Sequence, residues 1–162
     1  MIERIKRLCA VHGISGDEAR VRDQIILELG DACRLTVDNL GNLIAVKPGK
    51  ILLKKIALFA HMDEVGLMVT RVTDEGLLQF SSIGIDPRAL YGRRFEVGEK
   101  CIPGAVGAIA WHHLEETDRN ADLKADGCFL DIGAQNREEA EAVISPGDGA
   151  TFDAPFTALG DD

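Results

Sequence analysis

The chain has no surplus of basic charge, no long apolar run and no closely spaced cysteine pair, and each absence removes a class of function. Its 18 lysines and arginines face 27 aspartates and glutamates, a formal net charge of -9. Such a field repels phosphate backbones and anionic headgroups, so neither nucleic acid nor a membrane surface is an expected partner. No apolar stretch approaches the roughly 18 residues that span a bilayer. Charges interrupt the apolar positions of Met1–Gly13, unlike the core of a secretory signal, and the expected location is cytoplasmic. Cys9, Cys33, Cys101 and Cys128 form no C-x-x-C motif, so free and mostly buried thiols are expected rather than disulfides or a thiolate zinc site. There is no G-x-S-x-G and no phosphate-cradling glycine motif, which leaves a serine or cysteine nucleophile and a nucleotide site without support.

What is present has the balance of a soluble globular protein: 46% apolar and 28% charged over 162 residues, enough for one or two cores. Ile2, Ile5, Leu8 and Cys9 recur at helical spacing and predict a first helix over 2–11 with one buried stripe. Ser15-Gly16-Asp17-Glu18 fits a capping box for a second helix, whose face continues through Val21, Ile25, Ile26 and Leu29 to Gly30. Arg34–Asp38 and Leu43–Lys47 read as a hairpin around Asn39-Leu40-Gly41-Asn42. The near-continuous apolar run Lys55–Ala60 predicts a strand covered on both faces, ending at His61. Too few elements in residues 1–65 exist to cover such a strand.

From Gly66 the pattern changes to short β-like stretches, Leu67–Val72, Leu77–Phe80, Arg93–Val97, Val106–Ala110 and Phe129–Gly133, the spacing of a small barrel or sandwich. One helix interrupts them, capped by Asn136, with Glu138 and Glu139 in its first turn and Ala140 and Val143 turned inward until Pro146-Gly147 stops it. Glu115–Asp126 has too few apolar side chains to anchor it and is expected to be a mobile loop. The domain reading is 1–65, 66–158 and a tail of 159–162.

Ligands in open α/β sheets collect beyond the carboxyl ends of the strands, and the 55–60 run delivers His61-Met62-Asp63 to such a place. In a His-x-Asp pattern one ring nitrogen can bind a metal while a carboxylate holds the other N–H and fixes the tautomer. His61 is therefore the candidate metal ligand and Asp63 the candidate supporting catalytic residue. From that tripeptide alone, a histidine paired with its neighbour for structural reasons is the commoner arrangement. His112 and His113 would point to opposite faces of a strand and are read as loop residues at a contact, His12 as a polar loop residue, and Asp131 as structurally paired.

The stretch KIALFAHMDEVGLMVT, Lys55–Thr70, resembles the glutamyl and deblocking aminopeptidases that form tetrahedral particles, a family that also contains proteins named as endoglucanases. Further similarity runs in order through Gly13-Ile14-Ser15-Gly16, Asp38-Asn39-Leu40-Gly41-Asn42, Gly84-Ile85-Asp86-Pro87, Leu130-Asp131-Ile132-Gly133-Ala134 and Pro146-Gly147-Asp148. The resemblance implies an α/β metallopeptidase sheet domain followed by a small β-barrel-like oligomerisation domain. It also implies two divalent metal ions (zinc, cobalt or manganese), a peptide substrate cleaved at its N-terminal residue, and dimers building a tetrahedral dodecamer. In that family the histidine matching His61 binds one metal and the aspartate matching Asp63 supports it.

The family's remaining ligands lie in a second half that this sequence does not contain. A catalytic zinc takes about three protein ligands, so weak metal binding and little hydrolysis are expected of the chain alone. Asp161-Asp162 lacks the arginine that follows the family's aspartate pair and is read as a solvated tail. Two classes of function stay open: a metal-dependent aminopeptidase of which this is the front portion, and a noncatalytic assembly module with a vestigial metal site. A third reading, glycan hydrolysis, lacks a well-placed acid pair.

Overall fold

A computed structural model describes residues 1–49, 55–108 and 127–160. The chain divides into two compact units, one of Met1–Asp63 with the segment from Pro155 onward, the other of Glu64–Ala154. The architecture is mixed α/β, with a two-stranded sheet in the first unit and a closed six-stranded barrel in the second.

In the first unit, α1 (Ile2–Cys9) and α2 (Ala19–Leu29) precede a short 3₁₀ turn and the hairpin of β1 (Arg34–Val37) and β2 (Leu43–Val46). The expected buried stripe of α1 is not there: none of its residues is buried, and Ile2 and Ile5 are exposed. What joins α1 to α2 is charge, with Arg4 and Arg7 both donating to the Glu28 carboxylate. The hairpin turn is built by Asp38, whose carboxylate accepts from the backbone N–H groups of Leu40 and Asn42, each at 2.9 Å, while Gly41 takes a positive φ of 85°.

The capping box expected at Ser15 does not form. Helix α2 starts at Ala19, four positions on, and Glu18 reaches back to the Gly16 N–H at 2.7 Å instead of capping with Ser15. The strand expected over Lys55–Ala60 is also absent. Nothing among the described residues pairs with it, and Ile56, Leu58 and Phe59 are 90%, 93% and 93% exposed. A strand requires a neighbouring ladder to satisfy its backbone groups, and this segment has apolar character without a described partner.

The second unit is β3 (Gly66–Val72), β4 (Leu78–Ile83), β5 (Arg94–Val97), β6 (Ile102–Ala108), β7 (Cys128–Asp131), α3 (Arg137–Glu141) and β8 (Gly149–Phe152). All ladders are antiparallel, in the order β3-β4-β7-β6-β5-β8, with β8 pairing back onto β3. Of the two forms the spacing allowed, the barrel is the one adopted. Closure removes the sheet edges. A bulge between Val69 and Arg71 shifts the register of β3 by one residue, so Leu67, Val69 and Val72 all face inward despite the odd spacing. They meet Leu78, Phe80, Phe95, Val97, Val106 and Leu130 in one core, and the rings of Phe95 and Phe152 stack across β5 and β8 with centroids 4.5 Å apart.

The closing strand β8 was not among the expected stretches, because Gly149-Ala150-Thr151-Phe152 is short and follows Pro146-Gly147-Asp148 directly. Helix α3 is capped as expected, with the Asn136 side chain accepting from Glu139 N–H at 2.9 Å. Its inward residues differ by one: Ala140 and Ile144 are buried, whereas Val143 is exposed. Ile144 N–H still bonds the Ala140 carbonyl at 2.9 Å, so the residue four positions after Ala140 lies on the buried side and Val143, one position earlier, does not. The expectation of mostly buried thiols also fails: all four cysteines are free, but only Cys128 is buried and Cys9 is exposed. His112, His113, the loop expected over Glu115–Asp126, the end of the predicted 106–110 strand and Asp161-Asp162 lie outside the described residues. Among the described residues no helix is long and apolar enough to cross a membrane.

Candidate metal centre

His61 and Asp63 lie at the end of the first unit, after the apolar segment Lys55–Ala60. The His61 ring is 86% exposed. Its Nδ1 lies 3.0 Å from the Asp63 carbonyl oxygen and 3.1 Å from Asp63 Oδ1. A carbonyl can only accept and an ionised carboxylate can only accept, so the proton of the neutral ring belongs on Nδ1. The lone pair is then on Nε2, at the far side of the ring from Asp63.

The carboxylate of Asp63 is itself held from the other side. Ser15 Oγ–H donates to Asp63 Oδ2, across 48 positions of sequence. Asp63 is thus bonded through both carboxylate oxygens, and its pKa is lowered, first by the Ser15 hydrogen bond and also by its own backbone N–H and by His61, against a smaller desolvation. The carboxylate is ionised at neutral pH and suited to hold a ring N–H.

The turn that places Ser15 follows from its neighbours. Ile14 is buried at 2% exposure, its carbonyl accepts from Asp17 N–H at 2.9 Å, and Gly16 adopts a φ of 94° that a side chain would disfavour. Gly13 lies so near α2 that a Cβ there would be 2.6 Å from Val21 Cγ2. The glycines on either side of Ile14-Ser15 therefore let the chain pass close to α2 and turn, which presents the hydroxyl to Asp63 instead of to the helix end.

The donor set suits a divalent ion at one corner: a neutral imidazole with its lone pair outward and its other nitrogen on a carboxylate. Zinc in catalytic sites takes about three protein ligands, and this arrangement offers one donor, His61 Nε2.

The sequence profile of the M42 glutamyl aminopeptidase family matches residues 41–162. The chain belongs to that family. A curated relative from Acetivibrio thermocellus is 39% identical over 163 residues, which cover 99% of this chain and 47% of the relative. Among solved structures, the TET aminopeptidase of a marine sediment archaeon of the Thaumarchaeota superposes with a TM-score of 0.86 at 28% identity, over 98% of this chain and 46% of that one. The TET1 peptidase of Pyrococcus horikoshii, described as assembling into a tetrahedron or a large octahedral shell, superposes with a TM-score of 0.79 at 39% identity, over 94% and 46%. The M42 chain spans about half the length of the relatives it matches.

Another acidic candidate in this M42 chain has a local role. Asp131 is exposed at the end of β7, with Oδ1 accepting from Gly133 N–H at 2.8 Å. The residue that sequence reasoning missed is Ser15, read as a helix cap. The signal that could have found it is Gly16: a glycine directly after the serine favours a turn with positive φ over the first turn of a helix.

Proposed function

We propose that this M42 chain carries the front portion of a metal-dependent aminopeptidase, with His61 binding one ion through Nε2 and Asp63 fixing the ring. The observation that supports this reading is the commitment of His61 Nδ1 to two oxygens of Asp63, which leaves the metal-competent nitrogen outward. Two divalent ions, of zinc, cobalt or manganese, would polarise a scissile carbonyl and acidify a bound water. This chain's part is to present an oriented imidazole and a charged carboxylate behind it. The other ligands and the proton-transferring glutamate come from residues outside this sequence, so the isolated chain binds metal weakly and hydrolyses little.

The substrate class is a peptide with a free N-terminal residue. By analogy with the P. horikoshii assembly, the barrel unit Glu64–Ala154 serves as an oligomerisation domain in a cytoplasmic homo-oligomer. The test is metal content and aminopeptidase activity of the chain, alone and combined with the second half of a family relative. Metal and activity gained on combination, and lost with His61→Ala, support the enzyme. A combined particle that assembles but neither binds metal nor cleaves peptides sinks that reading and leaves an assembly module.

A further inference from the structure

The ring of His61 is 86% exposed, so packing does little to hold it, and its orientation depends on the hydrogen bonds at Nδ1. One of them, to the Asp63 carbonyl oxygen, is set by the backbone, and the other, to Oδ1, depends on how the Asp63 carboxylate is turned. The terminal torsion of an aspartate is broad and roughly two-fold, and a carboxylate engaged through one oxygen alone can rotate away from its partner. Here the second oxygen is engaged too, by the Ser15 hydroxyl.

We propose that Ser15 is a positioning residue for the metal-binding imidazole, acting through Asp63: its hydroxyl sets the plane of the carboxylate, and the carboxylate, together with the Asp63 carbonyl oxygen, sets the tautomer and direction of His61. In this role Ser15 needs no contact with metal or substrate. The chain invests several features in placing it, namely the buried Ile14, the positive φ of Gly16 and the close approach of Gly13 to Val21. None of these contributes to capping α2, which starts without a side-chain cap. The inference deepens the proposed function and rests on it for the metal, but its geometric core concerns the metal-free ring and can be read without any ion.

The experiment is nitrogen-detected NMR of the histidine rings in the full 162-residue chain, with zinc titration of the same variants combined with the second half of a family relative. In the unaltered chain the His61 ring is expected as the Nδ1–H tautomer. Ser15→Ala should shift it toward a mixture of tautomers, and Ser15→Thr, which keeps the hydroxyl, should restore it. Outer hydrogen-bond partners of metal ligands change affinity by roughly 10–100-fold, and Ser15, one bond further out, should weaken zinc binding by about threefold to tenfold. Amide resonances of α2 and the barrel report folding. If Ser15→Ala disturbs them, Ser15→Cys, close in shape and a weak donor, is read in its place. A tautomer unchanged in the folded Ala or Cys variant, while Asp63→Asn changes it, overturns the proposal. A tautomer that shifts in a chain whose assembled combination with that second half shows no His61-dependent zinc binding upholds the positioning role and refutes the metal reading instead.

Discussion

Gly76 packs against the backbone of Asn136 so closely that a Cβ at position 76 would lie 2.8 Å from the Asn136 carbonyl oxygen and 2.9 Å from that of Ala134. Its φ is 83°. Both obstacles to a side chain are backbone features, which cannot swing aside. Gly76→Ala should therefore destabilise the barrel by about 3 kcal/mol, combining a left-handed conformation with overpacking. Urea unfolding followed by circular dichroism would measure it, and a loss below about 1 kcal/mol would contradict the geometry.

The residues after α3 offer a paired test of packing. Ile144 is 1% exposed and belongs to the barrel core, whereas its neighbour Val143 is 39% exposed. Ile144→Ala should cost about 3 kcal/mol through lost burial and the cavity left behind. Val143→Ala should cost less than about 1 kcal/mol. Equal costs would mean that the two side chains share the core.

Asp86 governs an acid-sensitive contribution. Hydrogen bonds from the Arg88 guanidinium and backbone N–H hold its carboxyl at about 2, below the ordinary 3.8. A carboxyl depressed on folding stabilises the native state above its unfolded pKa, and that stability fades as pH falls through the folded value. The melting temperature of Asp86→Asn should thus lie slightly below that of the unaltered chain at neutral pH, with the gap closing between about pH 4 and pH 2. A gap that widens on acidification would show that Asp86 acts by another route.

At the candidate metal centre, His61→Ala should abolish specific cobalt binding by the reconstituted particle. Asp63→Asn should weaken it by roughly 10-fold or more. Neither change should move the unfolding of the barrel, since neither residue belongs to its core. Cobalt absorption spectra and thermal scans on the same samples separate the two effects. Cobalt binding that survives His61→Ala would remove the residue from the site.

Much of the barrel was legible before any coordinates, because a half-buried strand writes a period of two into its residues and turns write glycine and asparagine between them. The Asn136 cap and the hairpin turn at Asn39-Leu40-Gly41-Asn42 were readable for the same reason: each is set by residues a few positions apart. Strand β8 was not, being short and having its evidence in pairings with β3 and β5 that lie far away in sequence. The apolar run at Lys55–Ala60 misled in the opposite direction, since its composition describes a covered strand and no described residue covers it.

Residue order alone determined that position 61 holds a histidine two places before an acid, that the surface is acidic, and that a β-rich segment follows Gly66. Those are properties of composition and local spacing, and no fold can alter them. Only the tertiary arrangement decided where the Ser15 hydroxyl goes. The same Ser-x-x-Glu string can close a helix or reach across to a distant carboxylate, and the choice depends on which acceptor the rest of the chain brings within hydrogen-bonding distance.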